Sequence, residues 1–159
     1  MNNSVTNIEM IKGILESTKT IAMVGVSAHK EEVSSIIRRR PSIIVMKYLQ
    51  EFGYKVIPVN PFAKGETING EVVINDIEDI KIPVDIVDVF RPSKETPDIA
   101  KKAAKIGSKV LWLQYGIHNE DAKKISENSK MQYVSDKCIK QEYQKNFEKS
   151  NPVFPVLRN

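Results

Sequence analysis

Three consecutive arginines, Arg38-Arg39-Arg40, run into Pro41-Ser42 and form the densest cluster of phosphate-seeking groups in the 159-residue chain. Guanidinium forks match phosphate oxygens, and a serine hydroxyl adds a donor. Upstream, the apolar run Thr20-Ile21-Ala22-Met23-Val24 ends in Gly25-Val26-Ser27. A turn leaving such a strand offers backbone N–H groups to an anion, and Gly25 lets a ligand approach the main chain. Gly25, Val26, Ser27, Arg39, Arg40 and Ser42 are therefore the first candidate contacts. Their shared chemistry is the holding of a phosphate-bearing ligand.

Other chemistries lack their residues. The dinucleotide fingerprint needs three spaced glycines in this first turn and an acid at the end of the second strand. Here Gly25 stands alone, and the second strand ends in Asn60. The Gly-Lys-Ser/Thr of a P-loop is missing as well. No Ser-His-Asp set, metal-spaced cluster or pair of carboxylates is legible, so no catalytic residue and no metal ligand is expected. His118 is read as non-catalytic. Asp88 sits inside an apolar strand, where a carboxylate needs a partner, and is read as structural.

The elements that must position these groups follow from periodicity. Ile8, Ile11, Ile14 and Leu15 recur at helical spacing and predict a short leading helix. Residues 20–26 are nearly all apolar, as a strand buried on both faces must be. Residues 28–41 lack a clean period and read as loop. Ser42 opens a helix through Phe52, with Ile43, Met46, Leu49 and Phe52 inward and Gly53 closing it. Residues 54–59 read as the second strand, although Pro58 lacks a ladder donor. Asn60-Pro61 starts a turn. Further strands are expected at 72–74, 84–90, 109–114 and 131–134. Helices are expected at 97–106 and from Asn119 to about Lys130, with a polar terminal helix at 139–149.

Strands alternating with helices predict a three-layer α/β fold, Rossmann-like, with a mostly parallel sheet of five to six strands. Residues 1–149 are read as one domain and 150–159 as a C-terminal tail. In such sheets ligands bind beyond the carboxyl ends of the strands. That principle selects Gly25–Ser27, Asn60–Phe62, Phe90–Ser93 and Gln114–Ile117.

Composition agrees with an ordinary globular protein: 41% hydrophobic, 28% charged, net charge +4. The lysines are spread along the chain, so nucleic acid is not the expected partner. The first residues lack a basic and apolar leader, and no apolar run reaches the roughly 20 residues of a membrane helix. The lone cysteine, Cys138, fits a reducing compartment. A cytoplasmic location, with no membrane partner, is the expectation.

Several stretches taken in order resemble one known family. They are Ile21 to Ser27, Arg40-Pro41-Ser42, Lys47 to Pro61, Val87-Asp88-Val89-Phe90-Arg91, and Trp112 to Ile117 with Asn119-Glu120. Asp136-Lys137-Cys138 and Glu142-Tyr143 complete the set. Together they look like the single-domain CoA-binding proteins, stand-alone relatives of the N-terminal domain of the succinyl-CoA synthetase α-subunit. The resemblance covers about residues 10–147. It implies a Rossmann-like fold that binds coenzyme A across the strand carboxyl ends, and with no catalytic set in the sequence the expected function is non-catalytic binding of coenzyme A or an acyl-CoA. It also implies a phosphate region at Gly25, Val26 and Ser27 helped by the arginines. The remaining implied contacts are Asn60-Pro61, Phe90-Arg91-Pro92 and Gln114-Tyr115-Gly116. Between the first strand and Arg40-Pro41-Ser42 this chain carries a longer stretch than the family usually does, and Arg40 matches the motif best. Cys138 is read as an inert thiol, with a mixed disulfide to coenzyme A as the alternative. A homo-oligomer or an accessory protein partner is a further expectation. The competing readings are a component of an acyl-CoA ligase, an NAD(P) oxidoreductase with a degenerate fingerprint, and an RNA-binding module.

Overall fold

Alternation along the strands decides the layering. The computed structural model describes residues 3–27, 31–33, 36–38 and 41–148. After helix α1 (Asn3–Ser17), strand β1 (Thr20–Val24) sends Ile21 and Met23 into one core cluster and Ala22 into another. β2 (Glu31–Val33) and β3 (Ile36–Arg38) form a separate antiparallel pair before α2 (Pro41–Glu51). β4 (Lys55–Val59) is followed by a small hairpin of β5 (Thr67–Ile68) and β6 (Glu71–Val72). Then come β7 (Ile86–Val89), α3 (Thr96–Lys105), β8 (Val110–Leu113), α4 (Glu120–Asn128), β9 (Gln132–Val134) and α5 (Ile139–Tyr143).

β4, β1, β7, β8 and β9 stand in that order in one parallel sheet. α1, α2 and α5 supply buried residues to the Ile21/Met23 side, including Leu15, Met46, Leu49 and Ile139. α3 and α4 cover the Ala22 side with Ala100, Ala103 and Ala122. These small residues let the helices lie close to the sheet. The result is the expected three-layer α/β arrangement, consistent with a Rossmann-like fold.

Ile74 bridges to Val59 in the parallel sense, outside β4. Counted as a remnant strand, it makes the chain order across the sheet 3-2-1-4-5-6, that of dinucleotide-binding folds. The strand order reverses between β1 and β7, so the crevice belongs there. Pro58 fits for the same reason. The N–H of Lys55 and the carbonyl of Val59 point to the β1 side, bonding Lys19 and Gly25. Pro58 points the other way, where its carbonyl accepts from Ile74 and no N–H is required of it.

Several expectations need correction. The stretch 28–41, read as loop, contains the β2–β3 pair within its described part. Val33, Ile36 and Ile37 are β-branched, a residue type that favours strands, and the register sets Glu31 opposite Arg38. The inward stripe of α2 is Ser42, Val45, Met46 and Leu49. Phe52 is instead 42% exposed, in a ring group with Tyr48 and Tyr143 at centroid distances of 4.8 Å. Ile8 of α1 is exposed, whereas Ile11, Ile14 and Leu15 are buried. The predicted strand at 72–74 divides between β6 and the Ile74 bridge. The terminal helix is a short α5 followed by a π-helical turn at 144–148. It is less polar in its packing than its composition suggests, because Ile139 is buried and Tyr143 and Phe147 stack at 4.7 Å.

Candidate functional site

The carboxyl edge of the sheet opens into a cleft of about 230 Å³ beside the ends of β1 and β4. Gly25 and Asn60-Pro61-Phe62 form one wall. Arg91, Glu95, Ile99 and Lys102 come from β7's exit and α3, and Asn75, Asp76 and Ile77 from the chain after Ile74. Four predicted contacts, Gly25, Asn60, Pro61 and Arg91, thus meet around one space. Phe62 lies in a predicted segment, whereas Asn75, Asp76, Ile77, Ile99 and Lys102 had no sequence signal. They are brought in by the remnant strand at Ile74 and by α3, neither of which a linear motif reveals.

Gly25 has φ +94°, and its N–H donates to Val59 O at 2.8 Å. A Cβ there would stand 2.6 Å from Phe90 O and 2.9 Å from Arg91 Cδ. The glycine is therefore demanded by the closeness of the β1 and β7 exits, in addition to any ligand.

Asn60 serves as a scaffold through both ends of its amide. Its Oδ1 accepts from Phe62 N–H at 2.9 Å and caps the 3-10 turn Pro61–Ala63. Its Nδ2 donates to Val26 O at 3.0 Å, tying the β4 exit to the β1 exit. The Val26 side chain is fully buried in the core. Ser27 N–H donates to Ser42 Oγ at 3.3 Å, which joins the same turn to the start of α2, and Ser42 is itself buried. Arg39 and Arg40 lie outside the described residues.

Both cations of the cleft face carboxylates. Arg91 makes a two-pronged contact with Glu95, Nε to Oε1 at 3.1 Å and Nη2 to Oε2 at 2.8 Å. Lys102 Nζ bonds Asp76 Oδ2, and Glu78 N–H donates to Asp76 Oδ1. Burial alone would raise the Asp76 carboxyl, but Lys102 and the Glu78 N–H outweigh it and hold the group below the usual range. The Lys102 ammonium is correspondingly raised by Asp76.

The other half of the edge is closed. Phe90 is half-buried against the core and donates its N–H to Val24 O, while Pro92 O accepts from Glu95 N–H. Gln114 is buried and turned inward, its Nε2 donating to Asp88 Oδ1 at 2.5 Å. Asp88 is wholly buried, and its Oδ2 has no hydrogen-bond partner among the described residues. Desolvation pushes its carboxyl up to about 8, against the opposing Gln114 bond, so near neutrality it is largely protonated. Tyr115 is 78% exposed, and Gly116 N–H donates to Asp136 Oδ1 at 2.6 Å. Trp112 is core, with Nε1 donating to Lys137 O. Cys138 is half-buried against the α1/α2/α5 core and does not line the cleft.

One array was invisible in the sequence. His118 Nε2 lies 2.8 Å from Glu120 Oε1, and Nδ1 lies 3.1 Å from both Ser135 Oγ and Tyr133 Oη. The pairing of β8 with β9 brings these residues together. They do not line the cleft, and with Nδ1 near two hydroxyls they tie the exit of β8 to that of β9. Among the described residues no group of three or more His, Cys, Asp or Glu could hold a metal, and no helix is long and apolar enough to cross a membrane.

The site's position at the strand reversal coincides with a sequence match. Residues 19–144 match the profile of the CoA binding domain family. The chain belongs to that family. It is similar to an uncharacterized Bacillus subtilis protein, YneT, with 35% identity over 130 residues, 82% of this chain and 89% of that one. The solved structure of cell-free ID.343 from Thermus thermophilus superposes with a TM-score of 0.78 at 35% identity. It covers 89% of this chain and 99% of its own. A hypothetical protein from Pyrococcus horikoshii gives a TM-score of 0.76 at 34% identity, over 87% and 90% of the two chains.

Proposed function

We propose that this protein binds coenzyme A or an acyl-CoA without performing chemistry on it. The ligand lies across the carboxyl ends of β1, β4 and β7. The observation that carries the reading is the cleft at the strand reversal, where Gly25, Asn60, Pro61 and Arg91 meet inside a CoA-binding domain. Gly25, Val26 and Ser27 form the turn that the diphosphate crosses, held in place by the bonds of Gly25 N–H to Val59 O and Ser27 N–H to Ser42 Oγ, and the Arg39-Arg40 segment supplies cations. Ser42 supports that turn from the start of α2. Phe90, Arg91 and Pro92 border the ligand from the β7 exit. Tyr115 and Gly116 reach it only at its far end, and Gln114 contributes by fixing Asp88. A cytoplasmic setting and a small-molecule partner complete the proposal.

An NAD(P) reading is weaker on physical grounds. The ribose of a dinucleotide is held by a carboxylate at the end of the second strand. Here that place is Asn60, whose amide is spent on Phe62 and Val26. Isothermal calorimetry with coenzyme A, NAD and NADP tests the proposal. Binding of coenzyme A alone is expected. Tight NADP binding without coenzyme A binding would overturn it.

A further inference from the structure

A second opening lies away from the cleft. An open groove of about 800 Å³ runs between α2, the turn of the β5–β6 hairpin and α5. Ile43, Ile44 and Tyr48 are its apolar residues, and Lys47, Asn69 and Lys140 border it. Ile44 is 48% exposed there, one helical turn before Tyr48. Tyr48, Phe52, Tyr143 and Phe147 form a row of rings beside the groove, with centroid separations of 4.7 to 5.9 Å.

The described chain stops at this row. Glu148 ends the π-helical turn, and its carboxylate accepts from the Tyr48 hydroxyl. Residues 149–159 lie outside the described residues, and their sequence suits what the groove offers. Pro152-Val153-Phe154-Pro155-Val156-Leu157 has a Pro-x-x-Pro spacing, four large apolar residues and no charge. Solvated linkers are poor in such residues. Each proline fixes its own φ and biases the preceding residue towards extended backbone, so the segment has little conformational freedom to lose on docking. Aromatic-lined grooves hold Pro-x-x-Pro segments in this extended form. An uncharged segment also avoids repulsion from Lys47 and Lys140. Reach is sufficient: from Glu148 to Pro152 an extended chain covers roughly 13 Å. The turn of α2 from Tyr48 back to Ile44 spans only about 6 Å.

We propose that residues 152–157 of this same chain occupy the groove, with Phe154 laid against Ile44 and Tyr48. The segment then straps α2 to α5. It braces the helix whose Ser42 receives the Ser27 N–H, and so stiffens the support of the Gly25–Ser27 turn.

Nuclear magnetic resonance on the full chain tests it, with the natural chain, Phe154→Ala and, from the groove side, Ile44→Glu. Backbone order parameters of Val153, Phe154, Val156 and Leu157 should lie near about 0.85 in the natural chain and fall below about 0.6 in both variants. Ile44 is exposed, so its substitution leaves the core intact. Cross-relaxation between the Ile44 methyls and the Phe154 ring should be seen within one chain. Order parameters below about 0.6 in the natural chain overturn the proposal. So does an Ile44→Glu variant in which they stay high. Contacts found only between differently labelled chains in a mixed sample also overturn it, and give the groove to a second copy.

Discussion

The two halves of the sheet's carboxyl edge are built to opposite plans. Beside β1 and β4 the exits part and leave a cleft, and its groups keep a face towards it. Beside β8 and β9 polar groups bond one another, Gln114 with Asp88, Gly116 with Asp136 and Trp112 with Lys137, and only Asp88 Oδ2 is left unbonded among the buried side-chain polar atoms of the described residues. Residues following a strand thus line a cleft at the exits of β1 and β4, with Arg91 from the β7 exit. At the exits of β8 and β9 the same positions become fasteners. Substitutions should accordingly cost stability in the closed half and ligand affinity in the open half.

The largest effect belongs to the closed half. Trp112 is fully buried, and Trp112→Ala removes both its packing and its bond to Lys137. A loss of about 4 kcal/mol in urea unfolding is expected. A loss under about 1 kcal/mol would mean the closed half is not a packed unit.

Gly25→Ala breaks the boundary between the halves. The new Cβ meets the Phe90 carbonyl and must hold a positive φ, together costing about 3 kcal/mol in the same measurement. A stable variant with impaired binding would instead assign the glycine to the ligand alone.

Asp88→Asn probes the buried carboxyl through pH. Its pKa is raised on folding from 3.8 to about 8, so between those values the folded state holds a proton that the unfolded state has released. Stability then falls as pH rises from about 4 to about 8 and is flat above. In Asp88→Asn that decline should flatten, seen as a smaller drop in denaturation midpoint across the range. An unchanged slope would contradict the assignment.

Arg91→Ala and His118→Ala complete the comparison. The Arg91–Glu95 pair is 38% exposed on each side, so its loss should change stability by less than about 1 kcal/mol. Coenzyme A affinity in calorimetry should nevertheless fall several-fold. His118→Ala should leave affinity unchanged and alter stability by about 0.5 kcal/mol or less, as expected of an exposed array.

Much of the fold was legible because periodicity reports burial directly. Residues 21–24 and 110–113 are apolar throughout and lie in the central strands of the sheet, and Asn119 caps α4 by accepting from Ala122 N–H. The open half of the site was legible through Gly25, Asn60 and Arg91, which follow strands. What stayed hidden depends on contacts between distant segments. Asn75, Ile99 and Lys102 reach the cleft only through the Ile74 bridge and α3 packing. Nothing local marks Gln114 as the partner of Asp88, 26 residues away. Phe52 looked inward by spacing but was drawn to the surface rings of Tyr48 and Tyr143.

Amide hydrogen exchange with and without coenzyme A tests the asymmetry of this edge most directly. Protection on binding should appear at Gly25–Ser27, Phe62–Ala63 and Arg91, with little change at Tyr115–Gly116 and Asp136. Protection confined to the β8 and β9 exits, with none at Gly25 or Phe62, would contradict the account.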